Sequence, residues 1–321
     1  MIMKKFWFFL LVFCLLCPSA WAESTVITEQ TTLQEIMDLP AFSSCASWIF
    51  DREARSGRGA LTMYQMRNRY AYYDPSQAVD TLNVMARRME EGSLRWIPLY
   101  TGEECAEDAS LREAGLFYFE GMPRSPFAVV CPGGGFEYVS AMTEGFPHAL
   151  YLNEMGVHAF VLHYRTGMGE EKALDDLKRA LEVIGTHADA WRMDVSGYAI
   201  WGASAGATIA AMAGNDPAIL PGPAAIVLEY TDITEVTDAA PPTFGCAGQL
   251  DDTVSWKKMA QRMEQLSDLG IPAEFHLFPE LHHGFGLGLG TQAEGWIEDA
   301  ITFWMTQREA ESLEMVLVGD F

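Results

Sequence analysis

From about Leu116 onward, short unbroken apolar runs alternate with stretches whose apolar residues recur every three or four positions. The runs at 127–131, 158–164, 197–201, 224–228, 243–246 and 273–278 are too short for helices and rich in Val, Ile, Phe and Tyr, so they predict buried strands. Between them, 172–184 carries Ala173, Leu177, Ala180, Leu181 and Ile184 on one helical face with charges opposite. Helices are likewise expected at 144–155, 205–212, 255–269 and 293–307. Strands alternating with helices at these lengths imply a mostly parallel, doubly wound α/β sheet. Two earlier runs, 94–100 and 116–120, would complete one edge and are expected to pair antiparallel.

The first 92 residues read differently. Lys4 and Lys5 precede an apolar run at 6–17, and Ala20-Trp21-Ala22 places small residues at the two positions that a signal peptidase reads. The expectation is a cleaved signal peptide at 1–22, hence a secreted or periplasmic protein, with an uncleaved anchor as the lesser alternative. Residues 23–92 are polar and helix-prone, with Leu82, Met85 and Met89 on one face of a predicted helix at 80–91. This extension either packs on the edge of the sheet or covers the active site, ahead of a catalytic domain at 93–321.

Composition narrows the partners. The formal charge of −23 becomes about −25 once Lys4 and Lys5 leave, which argues against nucleic acid and against stable association with an anionic membrane. No cysteine or histidine spacing resembles a metal site, and no cofactor is expected. Cys131 and Cys246 end predicted core strands and read as buried thiols. Cys45 and Cys105 fall outside the predicted core, where a disulfide between them is conceivable.

The chemistry is concentrated at strand ends. Gly202-Ala-Ser204-Ala-Gly206 follows one predicted strand and opens a small-residue helix, the setting in which a serine is held on a strained turn with no side chains crowding it. Ser204 is therefore the candidate nucleophile. Pro132-Gly-Gly-Gly-Phe136 ends the strand two earlier in order. Its Gly133 and Gly134 N–H groups, with that of Ala205, are the expected oxyanion donors, the pair Gly134 and Gly135 remaining open. A nucleophilic serine needs a base, and the base an orienting acid, in the order serine, acid, histidine. Asp251 and Asp252 follow the strand at 243–246, and Asp251, three after Gly248, is preferred. His282 and His283 follow the last strand, and His283, directly before Gly-Phe-Gly, is the better base. His148, His158, His163, His187 and His276 read as structural, Arg165 as an ion-pair former and Trp201 as packing beneath the turn; Glu144 and Tyr138 either line the substrate pocket or cap the following helix, capping being preferred for Glu144.

On Pro-Gly-Gly-Gly-Phe (132–136), Tyr-Arg (164–165), Gly-Ala-Ser-Ala-Gly (202–206), Gly-Gln-Leu-Asp (248–251) and His-Gly-Phe-Gly (283–286), the chain over 94–307 resembles α/β-hydrolases of the acetyl esterase/lipase and carbohydrate-esterase type, related to dienelactone hydrolase. The resemblance implies a metal-independent carboxylic-ester hydrolase working through Ser204, Asp251 and His283 on a small-molecule or saccharide ester. Many such relatives carry His where Pro132 stands, and the proline form resembles the branch acting on small acylated substrates, often sugars. No long insertion separates 228 from 243, where a bulky lid would be placed, which favours small soluble esters over long-chain lipids. Two rivals share the scaffold: a peptidase of the prolyl-oligopeptidase-like type, and a secreted binding protein without catalysis.

Overall fold

The computed structural model describes residues 26–319, side chains beyond residue 310 being described only for Ser312; the expected leader at 1–22 lies outside the described residues. Strands β1 (Leu94–Pro98), β2 (Gly115–Phe119), β3 (Phe127–Cys131), β4 (His158–His163), β5 (Ala199–Ala203), β6 (Ala225–Glu229), β7 (Thr243–Gly248) and β8 (Ala273–Phe278) form one sheet in the order β1-β2-β4-β3-β5-β6-β7-β8. The pairs from β4 to β8 are parallel, while β2 runs antiparallel to both β1 and β4. The mostly parallel sheet with an antiparallel edge is therefore as expected.

Every residue of β2 to β7 is buried, which requires cover on both faces and explains why these strands read as continuous apolar runs. The helices are α1 (Leu33–Met37), α2 (Ala46–Ile49), α3 (Asp51–Arg55), α4 (Pro75–Glu91), α5 (Glu104–Glu107), α6 (Phe146–Glu154), α7 (Glu170–Trp191), α8 (Ala205–Gly214), α9 (Trp256–Asp268) and α10 (Trp296–Gly319). α6 packs on β2, β3 and β4, α8 on β3, β5 and β6, and α9 on β7 and β8.

Boundaries moved where the backbone imposed its own limits. β5 starts at Ala199 rather than 197 because Gly197 is left-handed (φ 65°), a conformation no strand accommodates. α7 continues past 184 to Trp191 and stops where Arg192 turns left-handed (φ 54°). The expected helix from 144 begins only at Phe146, after a π-turn over Ala141–Gly145.

The extension joins the same core. Asp74 caps α4 by accepting from the Ser76 and Gln77 N–H groups, Pro75 opens it, and Ala78, Leu82 and Met85 are buried against β1 and α6. Cys45 and Cys105, expected outside the core, are both buried and both free thiols, because the extension and the segment after β1 pack apolar surfaces of their own. Among the described residues no helix is long and apolar enough to cross a membrane.

One carboxylate anchors the extension. Asp51, 1% exposed, accepts from the Val139 N–H at 3.0 Å, pairs with Arg55, and lies 3.8 Å from His163 Nε2. Burial alone would raise its pKa, but His163, Arg55 and the Val139 N–H together hold it below the usual carboxylate range. Its stabilising effect is thus present above about pH 4 and lost as pH falls through the lowered folded-state pKa. Asp51→Asn should cost about 1–3 kcal/mol near neutral pH. In denaturant titrations the gap from wild type should narrow below about pH 4.

Candidate active site

The strand order reverses at β3. The chain leaves it for β4 on one side and returns to β5 on the other, so the carboxyl ends of β3 and β5 flank a topological switch point, where open α/β sheets place ligands. Cys131 and Gly202 are register partners, which brings the glycine loop after β3 against the turn after β5. There is room for backbone only. A Cβ on Gly206 would lie 1.8 Å from the Cys131 carbonyl oxygen, and one on Gly202 would lie 2.4 Å from that of Gly206. Within this squeeze Ser204 takes φ 52° and ψ −118°, a strained non-glycine conformation held by its own N–H, which donates to the Glu229 carbonyl at 2.9 Å.

The loops after β7 and β8 supply the partners. His283 Nε2 is 2.9 Å from Ser204 Oγ, and His283 Nδ1 is 2.7 Å from Asp251 Oδ2. The other Asp251 oxygen accepts the Thr253 and Val254 N–H groups, each at 2.9 Å, so the carboxylate is fixed from both sides. Its side chain is fully buried, whereas that of His283 is 19% exposed. Burial raises the Asp251 pKa, but His283 and the two backbone donors outweigh it and leave the group below its ordinary value. Tyr230 packs edge-on against the His283 ring at 4.8 Å. The arrangement can pass the Ser204 proton to His283 and hold the resulting imidazolium beside an ionised carboxylate.

Ser204, His283 and Asp251 are brought together. Asp252 is exposed beside the group, and His282 is exposed with its N–H donating to Tyr72 Oη at 2.8 Å. Of the three expected oxyanion donors, the Gly133 N–H is engaged by Glu144 Oε2 at 2.9 Å. The Gly134 and Ala205 N–H groups have no protein acceptor among the described residues. Gly134 reaches its position at φ 125°, where a Cβ would lie 1.9 Å from the Tyr138 carbonyl oxygen.

Glu144 is not a helix cap. It is 6% exposed, and besides the Gly133 N–H it accepts from Tyr230 Oη at 2.9 Å. Burial, and then the neighbouring Glu229, push its pKa up. Glu229 in turn pairs with buried His148 at 3.2 Å. Arg165 is the expected ion-pair former, meeting buried Asp176 at 2.8 Å, and Trp201 is fully buried against Trp296 and Trp304.

The extension reaches the site, which local patterning did not reveal. A cleft of about 360 Å³ in front of Ser204 and His283 is lined by Arg52, Arg69, Tyr70 and Tyr72 from the extension and by Gly134 and Tyr138 from the glycine loop. Arg52 lies over the Tyr138 ring at 4.7 Å. The extension thus packs on the sheet edge through α4 and also walls the cleft. Among the described residues, no three of His, Cys, Asp and Glu are grouped to hold a metal ion.

No protein-family model matches the chain. An acetylxylan esterase of Xylanibacter ruminicola is 29% identical over 89 residues, covering 26% of this chain and 18% of that protein, so the match spans about a fifth of the relative's length. Among solved structures, the acetyl ester-xyloside bifunctional hydrolase of Caldicellulosiruptor lactoaceticus is 24% identical with a TM-score of 0.56, over 68% of this chain and 96% of that one. An α/β-hydrolase enzyme from a Medee basin deep-sea metagenome library gives 23% and 0.57, over 67% and 98%. A carboxylesterase of Lactobacillus plantarum gives 23% and 0.54, over 60% and 92%. At these identities the likeness establishes the fold: the chain has the α/β-hydrolase fold.

The raised pKa of Glu144 has a measurable sign. Below the unfolded value of about 4.3 the group is protonated in both states. Above it the unfolded chain ionises first, so wild-type stability declines as pH rises towards the folded-state pKa. Glu144→Gln removes that titration. Its melting temperature relative to wild type should therefore rise with pH above about 4.3 and level off once pH passes the folded-state pKa, as read by circular dichroism.

Proposed function

We propose that this protein is a serine carboxylic-ester hydrolase acting on small acyl esters, acetylated saccharides among them, through an acyl-enzyme. The observation that carries the reading is the relay from strained Ser204 through His283 to Asp251, facing two unpartnered N–H groups. His283 takes the Ser204 proton as Oγ attacks the ester carbonyl. The N–H groups of Gly134 and Ala205 receive the oxyanion, a contribution on the order of 3 kcal/mol per donor. His283 then protonates the leaving alcohol. In the second half, water gives a proton to His283 and attacks the acyl-serine; as the Oγ–acyl bond breaks, His283 returns that proton to Ser204 Oγ and the acid leaves. Gly133, tied to Glu144, holds the loop in shape in this scheme rather than binding the oxyanion.

The relatives' own activities are consistent with this choice, since they include an acetylxylan esterase, an acetyl ester-xyloside hydrolase and a carboxylesterase. A cleft of about 360 Å³ lies at the small end of ligand sites and suits a short acyl group. Export after removal of residues 1–22 belongs to the same proposal and rests on the sequence of that segment. N-terminal sequencing of protein recovered outside the cytoplasm should begin at Glu23.

In a p-nitrophenyl ester series, turnover should be highest for acetate and fall with acyl length. Ser204→Ala should lose a factor of about 10⁵ or more in kcat while staying folded, and Asp251→Asn about 10³–10⁴ through the wrong imidazole tautomer. Best turnover at long acyl chains, or full activity in Ser204→Ala, would sink the reading.

A further inference from the structure

The cleft has a charge unlike the rest of the chain. Overall there are 44 acidic residues against 21 Lys and Arg. Yet the charged residues lining the cleft beside His283 are Arg52 and Arg69, with Glu144 the single acid, and burial and Glu229 drive that acid towards its neutral form.

The two arginines are held differently, and both keep donors free. Arg52 lies over the rings of Tyr138 (4.7 Å) and Tyr70 (5.7 Å), and it meets the hydroxyls of those two residues, that of Tyr138 at a long 3.4 Å. Arg69 has its Nε 3.5 Å from Glu53 Oε1, an ion pair too long and misaligned for a hydrogen bond, and its guanidinium makes no hydrogen bond with a protein acceptor among the described residues. Glu53 is 2% exposed and does not line the cleft; it accepts from Tyr70 Oη at 3.2 Å. Two guanidinium groups share this one buried carboxylate, so the cleft wall carries more basic than acidic groups. A guanidinium with open donors matches the planar, two-oxygen geometry of a carboxylate. Tyr70, Tyr72 and Tyr138 line the cleft beside them, and aromatic side chains with hydroxyl tips suit a ring that is apolar on one side and hydroxylated at its rim.

We propose that Arg52 and Arg69 form a carboxylate-binding subsite, and that the substrate is an ester of a saccharide bearing a carboxylate, a uronic acid. This rests on the ester-hydrolase reading and narrows it: the ester sits at Ser204 while the sugar's anion meets the arginines supplied by the extension.

The test uses a matched pair, O-acetylated D-glucuronate and O-acetylated D-glucose, with acetate release as the readout. Wild-type kcat/KM should favour the glucuronate ester at least tenfold, and 0.5 M NaCl should lower that ratio because the arginines are partly exposed. Arg69→Gln and Arg52→Gln should each cut the ratio tenfold or more, chiefly through KM, with Arg69→Lys retaining part of it. Calorimetry on Ser204→Ala should show D-glucuronate binding that D-glucose does not match and that added Arg69→Gln removes. A wild-type ratio at or below one, or a ratio that neither substitution changes, overturns the subsite. Absence of hydrolysis of any ester by wild type would instead overturn the hydrolase reading, while the glucuronate titration still decides the subsite on its own.

Discussion

The arrangement hangs on a backbone contact in which no side chain takes part. Where β3 and β5 run side by side, the turn after β5 lies directly on the last carbonyl of β3, at a separation that excludes even a methyl group on Gly206. That contact puts Ser204 into its strained conformation and sets the glycine loop and the start of α8 facing one another. It also makes the loops after β7 and β8 the ones that can reach the serine. The parallel order of the sheet is what delivers all four segments to the same edge.

Beneath this edge lies a second, less obvious layer of order. Glu144 ties the glycine loop to Tyr230, Tyr230 packs on the His283 ring, and Glu229 holds the Ser204 N–H through its carbonyl while its carboxylate meets His148. A buried acid kept towards its neutral form can hold two backbone segments together without the full cost of a buried charge. Ser204 and His283 are thereby braced from below by buried side chains that reach them through Tyr230 and the glycine loop.

Much of this was legible in the sequence, for physical reasons that can be named. Strands buried on both faces must be unbroken apolar runs, and a serine on a strained turn must have small neighbours, so β3 to β7 and Ser204 stood out by composition and spacing alone. The order of chain segments narrowed the acid to Asp251 or Asp252 and the base to His282 or His283, and the neighbouring glycines favoured Asp251 and His283. The rest was hidden because it depends on contacts between distant parts of the chain. Glu144 looks like any acid near the start of a helix, and only the fold reveals that it faces Gly133 and Tyr230. Arg52 and Arg69 belong to a polar segment with no strong period, and nothing local says that this segment turns inward to wall the cleft. The free, buried state of Cys45 and Cys105 was missed for the same reason.

The hydrogen bond from the His282 N–H to Tyr72 Oη joins residues 210 positions apart. Ribosomes deliver Tyr72 some 210 residues before the histidine loop, so the front wall of the cleft closes onto His283 only after every segment between them has been made. Contacts of such long sequence separation form late and slowly. A chain made or folded only that far therefore carries Ser204 without the histidine loop against it, and the proposed chemistry would be available only once the cleft has closed.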